Sequence, residues 1–248
     1  MPDDLLAPGA SITGADLSGA DWAERDLSEL ELVDCSLADV QLSAVMLQGA
    51  RFTGCRFLRC RFAHVDLREA AFEDCSFADA EEHVGAAFAF SRLEGARFLR
   101  CDLSFSDIDR SSLYGVAMSG CNLMGARFHR ADFSQAFGRK VVRTSASFVG
   151  CNLGLADLSE ARLPGCDLSG SSLREADLTG ADLTGADLRG CDLFQALSAG
   201  AKLAEADLRG AQISGLDLTT LGSHQGLTIT AAQQHLLLAA MGVDVRAD

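Results

Sequence analysis

The sequence predicts an all-β fold, a four-sided tube of stacked coils, on three observations. Large apolar side chains recur on a five-residue beat, small residues stand two places before them, and every cysteine falls in those small positions. The beat is plainest from Ala176 to Gly190, which reads ADLTG ADLTG ADLRG. Taking each leucine as a centre and stepping by five gives Ile12, Leu17, Trp22 and Leu27, and so on to Phe77. The comb resumes at Phe88 and runs to Phe133, then resumes at Phe148 and runs to Leu218. Of 39 centres, 38 are large and apolar, Ser198 being the exception. A period of five fits neither the 3.6 of an α-helix nor the 2 of a strand. It fits a chain that turns a corner every five residues and sends one large side chain inward per side. Four sides make a coil of about 20 residues, and coils stack through backbone hydrogen bonds as parallel strands do.

The position two before each centre also faces inward, near a corner of a narrow tube, and is mostly Ala, Cys, Ser or Val. All nine cysteines, Cys35, Cys55, Cys60, Cys75, Cys101, Cys121, Cys151, Cys166 and Cys191, lie there. A free cysteine packs as a small hydrophobe, so these are read as core thiols and not as disulfides or metal ligands. The position before the centre is often Asp, Asn, Ser or Arg and points outward, and Gly or a small polar residue commonly closes the unit.

Composition narrows the function. With 21 basic and 35 acidic residues in 248, the net charge is −14, which argues against direct binding to nucleic acid or to an anionic membrane. The opening MPDDLLAPGA lacks a basic, apolar leader. No apolar run approaches the roughly 18 residues of a membrane span, Leu236 to Val243 being the longest candidate, so a cytoplasmic protein is expected.

One domain suffices: a lead-in over 1–10, repeats over 11–225 and a C-terminal segment over 226–248. In that last segment, Thr230 and Gln233 have capping-box spacing, Ala231 to Met241 favours helix, and Gly242 suits a stop. Val243 and Val245 around Asp244 then suit a short strand. The apolar surplus predicts a cap that also joins two rods end to end through Gln233, Leu236, Leu237, Leu238, Met241, Val243 and Val245.

Two interruptions leave the beat. Phe77 to Phe88 holds six extra residues, roughly within 78–85, with Glu81, Glu82, His83 and Val84 as candidate contacts. Phe133 to Phe148 holds ten, roughly within 135–145, with Phe137, Arg139, Lys140, Val141, Val142 and Arg143. Inserts leave a solenoid as loops, and projecting loops carry recognition. The second sets three cations and three apolar side chains on an otherwise acidic rod.

The A(D/N)LXX units over about residues 10 to 220 resemble the pentapeptide-repeat family, which implies a right-handed quadrilateral β-helix of about ten coils. Within it the chain looks like the Qnr quinolone-resistance proteins, on the centre spacing across both loops. The stretches RCDLSFSDI (100–108), SASFVGCNLGLADLS (145–159) and QQHLLLAAMGVDV (233–245) extend the match, over roughly residues 45 to 245. The loop sequences differ, and about 30 N-terminal residues are additional. The resemblance implies a dimer that binds a bacterial type II topoisomerase, DNA gyrase or topoisomerase IV, and protects it from quinolone-type poisons, mainly through the longer loop. The related MfpA proteins lack the loops and are described as mimics of duplex DNA. On that reading Asp157, Asp167, Asp177, Asp182, Asp187, Asp192, Asp207 and Asp217 stand in for phosphates.

Catalysis finds no support in the residues. His64, His83, His129, His224 and His235 lack metal-ligand spacing, no phosphate loop occurs, and no nucleophile has a base nearby. The chain is therefore expected to bind, without cofactor or metal. The alternative to topoisomerase protection is a repeat scaffold with an unrelated protein partner.

Overall fold

The computed structural model describes residues 6–79, 81–138 and 141–244. Each centre sits mid-side, flanked by two outward residues, so the sides read exposed–buried–exposed, as in Ser11–Thr13 and Arg51–Thr53. On face one Ile12, Leu32, Phe52, Phe72, Phe98, Met118 and Phe148 stack in one parallel ladder. Face two follows from Leu17 through Phe57 and Phe77, face three from Trp22 through Phe62, Phe88 and Phe128, and face four from Leu27 through Leu67, Leu113 and Phe133. The four-sided β-helix expected from the beat is formed.

The centres fill the bore. From Leu17 to Leu193 every one is buried, at 5% exposure or less. Burial of such a side chain contributes about 1.5–3 kcal/mol, and here it repeats every five residues. Phenylalanines stack from coil to coil: Phe52 on Phe72 at 4.6 Å, Phe72 on Phe98 at 4.7 Å, Phe57 on Phe77 at 4.8 Å and Phe62 on Phe88 at 4.6 Å. These separations are the strand repeat itself, imposed by the ladder. All nine cysteines are buried and free. Cys55 and Cys75 direct their thiols at the carbonyls of Leu32 and Phe52 one coil below, at 3.4 and 3.3 Å. Burial pushes the Cys60, Cys166 and Cys191 thiols up to about 11.

Corners form at the residue two past the centre, which takes a left-handed backbone: Gly49 has φ +68° and Gly95 +70°. Glu29, Glu69 and Arg100 hold the same conformation at +60°, +60° and +52°. A non-glycine residue there costs about 1 kcal/mol, which the stacking on either side offsets.

Both inserts leave the stacking in step. Partners are 20 residues apart in plain coils (Leu32 and Phe52), 26 across the first insert (Phe72 and Phe98) and 30 across the second (Met118 and Phe148). The second insert nevertheless leaves a seam. On face four Ser112 pairs with Asp132, and Arg162 with Asp182, but among the described residues no bridge joins Asp132 to Arg162.

The C-terminal end corrects several expectations. Coil pairing continues past residue 225, with Asp207 bridging Thr228 after a one-residue slip. Gln233 is not a surface contact: it is buried, its amide donating to the Leu208 and Ala211 carbonyls at 2.7 and 2.8 Å while its Oε1 accepts from the Thr230 amide at 2.7 Å. It closes the open end of the tube. A 3₁₀ turn, Ala231–Gln233, leads into the helix Gln234–Ala240. Gly242, at φ +77°, ends it, with the Val243 amide bonded back to Leu238 at 2.8 Å and that of Gly242 to Ala239 at 3.0 Å. Leu237 is buried on the core, so it too belongs to the cap. Val243 and Asp244 form no strand within the single chain, and Val245 lies outside the described residues.

Candidate functional site

The two inserts are not loose loops. Each is an antiparallel β-hairpin, and each leans on the rod through one aromatic contact. The shorter pairs Ala78–Asp79 with Val84–Gly85. Asp79 anchors it: one carboxylate oxygen accepts from the Glu81 and Glu82 amides, and the other meets Arg59 at 2.6 Å. The same guanidinium grips Asp39 at 2.7 and 2.8 Å, tying the hairpin to the coil below. These amide and guanidinium donors hold the Asp79 carboxyl below its ordinary range. At the tip, Glu81, Glu82, His83 and Val84 are all exposed, and the His83 ring meets Phe105 edge-on at 5.3 Å. Gly85 lies against the next coil so closely that a Cβ would collide with the Ser106 amide nitrogen.

The longer hairpin pairs Ser134–Phe137 with Val141–Thr144, in the register Gln135–Arg143 and Phe137–Val141. Its base is closed by the Ser145 amide on the Phe133 carbonyl at 3.1 Å, and by Asp132, which accepts from the Ser134 amide and hydroxyl at 2.9 and 2.7 Å. Strand alternation gives Gln135, Phe137, Val141 and Arg143 one side and Ala136 and Val142 the other. The Phe137 ring meets Tyr114 at 5.7 Å, and the Arg143 guanidinium lies over it at 5.6 Å. Phe137, Val141 and Val142 remain 46%, 46% and 62% exposed. Arg139 and Lys140 lie outside the described residues. Beneath the hairpin, Gln135, Tyr114, Arg92 and Glu94 line a groove of about 330 Å³.

The hairpins leave diagonally opposite edges. The first departs after face two, at Phe77, and the second after face four, at Phe133, two and a half coils further on. At the strand repeat this is about 12 Å along the rod. Sequence reasoning located both inserts and missed their supports, Arg59, Gly85, Phe105 and Tyr114. One signal was available: Phe105 takes a corner, φ +58°, that favours glycine.

The acidic ladder does structural duty. The eight aspartates from Asp157 to Asp217 all accept the amide of the residue two further on, at 2.8–3.2 Å, from Ser159 for Asp157 to Thr219 for Asp217. Each carboxylate closes a turn. Four also meet a cation: Asp182 with Lys202, Asp187 with Arg189, Asp192 with Arg174 and Asp207 with Arg209. Among the described residues Asp157, Asp167, Asp177 and Asp217 have no ion pair. No group of three or more His, Cys, Asp or Glu side chains among them is placed to hold a metal ion. No described helix is long and apolar enough to cross a membrane.

The family model for pentapeptide repeats matches in eight copies between residues 26 and 220. The chain belongs to the pentapeptide-repeat family. None of the curated protein sequences compared with it matches. Among solved structures, a trypsin-treated variant of QnrB1, a plasmid-mediated fluoroquinolone resistance protein, is 28% identical with a TM-score of 0.79, over 86% of this chain and 99% of that one. Full-length QnrB1 is 25% identical with a TM-score of 0.76, over 94% and 100%. HetL, a pentapeptide-repeat protein involved in heterocyst differentiation regulation in the cyanobacterium Nostoc sp. strain PCC 7120, shares the fold. It is 23% identical with a TM-score of 0.51, over 88% of each chain. The Qnr-like character expected from the spacing is thus matched by structure.

Proposed function

We propose that this pentapeptide-repeat protein binds a bacterial type II topoisomerase, DNA gyrase or topoisomerase IV, and protects it from quinolone-type poisons, acting by binding and not by catalysis. The observation that supports this best is the likeness to QnrB1 along nearly the whole of that chain, in a rod that carries two hairpins. The longer hairpin is the main contact. Its exposed Phe137, Val141 and Val142 would enter an apolar recess of the enzyme, while Arg143, with Arg139 and Lys140, meets carboxylates beside the drug-stabilised cleavage complex. Charge-assisted bonds of this kind are strong once desolvated. Mimicry of DNA falls to the four aspartates without ion pairs.

Gyrase supercoiling in the presence of ciprofloxacin tests this. The intact protein is expected to restore supercoiling at low micromolar concentration. Removal of residues 135–144 is expected to abolish rescue and leave the melting temperature within a few degrees, because pairing resumes at Phe148. Rescue that survives the deletion excludes the hairpin as the contact. No effect of the intact protein on either topoisomerase favours a scaffold with another partner.

A second copy completes the assembly. Leu236 and Leu238 are half-buried, and Met241 and Val243 are 47% and 45% exposed, at the end of a helix whose inner side already caps the tube. Sedimentation is expected to show a dimer, and Met241→Asp with Val243→Asp a monomer of unchanged melting temperature. A monomeric parent protein would exclude this interface.

A further inference from the structure

The edge between faces three and four carries residues that its geometry disfavours. Two past the face-three centres stand His64, Phe90, Arg110 and Arg130, with φ of +56°, +53°, +48° and +53°. Left-handed backbone suits glycine, and a bulky side chain held there needs a reason. Main-chain bonds align them in one column: the His64 amide donates to Ala89, that of Phe90 to Asp109 and that of Arg110 to His129. The Phe90 ring lies parallel to the His64 imidazole, 5.2 Å away and 12° inclined, with the Arg110 guanidinium 5.3 Å from its centre. Sandwiched in this way it is still 45% exposed.

At Arg130 the column meets the seam between the sixth and seventh coils. A cleft of about 390 Å³ opens there, floored by Phe128 and Ala161 and rimmed by His129, Arg130, Ser159 and Glu160. Among the described residues the Arg130, Phe133 and Arg162 amides have no partner across the gap. This edge, like the one between faces one and two, is flanked by both hairpins, since the first leaves between faces two and three and the second between faces four and one. The column also spans the same coils as the hairpins. From His64 to Arg130 it holds no carboxylate, with Glu24 lower on the same edge and Glu160 above, in a chain of net charge −14.

We infer that this edge is a second contact surface for the same protein partner, receiving an acidic segment. Its carboxylates meet Arg110 and Arg130, and one apolar side chain seats in the cleft after crossing Phe90. Charge complementarity selects the occupant, and the neighbouring Asp109, 3.7 Å from Arg110, together with the overall negative charge, disfavours a nucleic-acid backbone.

Resting on the topoisomerase-binding reading, this is tested by binding of intact variants to purified DNA gyrase at two salt concentrations. Phe90→Gly suits the corner backbone, so its melting temperature is expected to hold or rise, while affinity falls roughly tenfold, as for an exposed aromatic anchor. Arg110→Glu with Arg130→Glu is tolerated by the fold, because Glu29 and Glu69 occupy equivalent corners. It is expected to weaken binding by more than tenfold, most steeply at low salt. Both variants binding within about twofold of the parent, while the 135–144 deletion does not bind, overturns the second surface and leaves the hairpin reading standing. A parent protein that binds no gyrase overturns that reading and this one with it.

Discussion

Ser198 is small where every other centre is large, and the residue above it compensates. Leu216 occupies a position where the repeat ordinarily puts Ala or Cys, and it is buried at 5%. With Leu188, Leu193 and Ala196 these two enclose a void of about 10 Å³, room for no more than one water. Restoring the missing leucine should therefore overfill the bore. Ser198→Leu is expected to destabilise by about 1–3 kcal/mol, and Ser198→Leu with Leu216→Ala to recover at least half of that loss in urea melts. Additive losses would show that the pair does not share one space. The sequence made Ser198 visible as an exception but not Leu216 as its complement. The comb registers centres one at a time, whereas packing is settled between coils about twenty residues apart.

Each hairpin has a close point of support where it meets the rod. For the shorter this is Gly85, whose φ is ordinary and whose requirement is closeness, with Phe105 and Ser104 main-chain atoms at 2.5 Å from where a Cβ would stand. Gly85→Ala is expected to lift the hairpin from its seat, increase amide exchange at Val84, and cost about 1–2 kcal/mol in thermal unfolding, with the coils intact. For the longer it is the Tyr114–Phe137 contact, and Tyr114→Ala should speed exchange in Gln135–Phe137 without moving the midpoint by more than about 1 kcal/mol. Unchanged exchange in either variant would mean that the hairpin is held from elsewhere. The inserts were legible as departures from the beat, and their lengths of six and ten followed from counting. Their strands were not: Asp79 to Val84 is too short to show alternation, and in QAFGRKVVRTS the cations and apolar residues read as exposed contacts on a loop and not as paired strands. Gln233 and Leu237 went astray for a related reason, since an apolar surplus does not say which side of a helix meets the core.

Over the whole rod, aspartates that close turns set the response to acid. Hydrogen bonds from Arg189 to Asp187, from Arg209 to Asp207 and from Thr219 to Asp217 hold these carboxyls below their ordinary 3.8, as Ser18 and Ser28 do for Asp16 and Asp26. Depressed folded values contribute stability that is fully present above the unfolded value and is lost as pH falls through the folded ones. Melting temperature is thus expected to stay nearly level between about pH 7 and 5 and to drop below about pH 4. A melting temperature unaltered at about pH 2.5 would show these turns to be indifferent to charge. Most of the architecture was readable at this scale, because one constraint repeated 39 times leaves little else possible.

The unbroken register across inserts of different length has an evolutionary corollary. Material added between one centre and the next corner keeps the face-one ladder in register, at the cost of a local seam on face four at the second insert, so the decorated edges are free to diversify while the bore stays under a single fixed rule. Such a chassis can acquire, lengthen or exchange its recognition elements by simple duplication or deletion events, and its binding specificity can drift far faster than its fold.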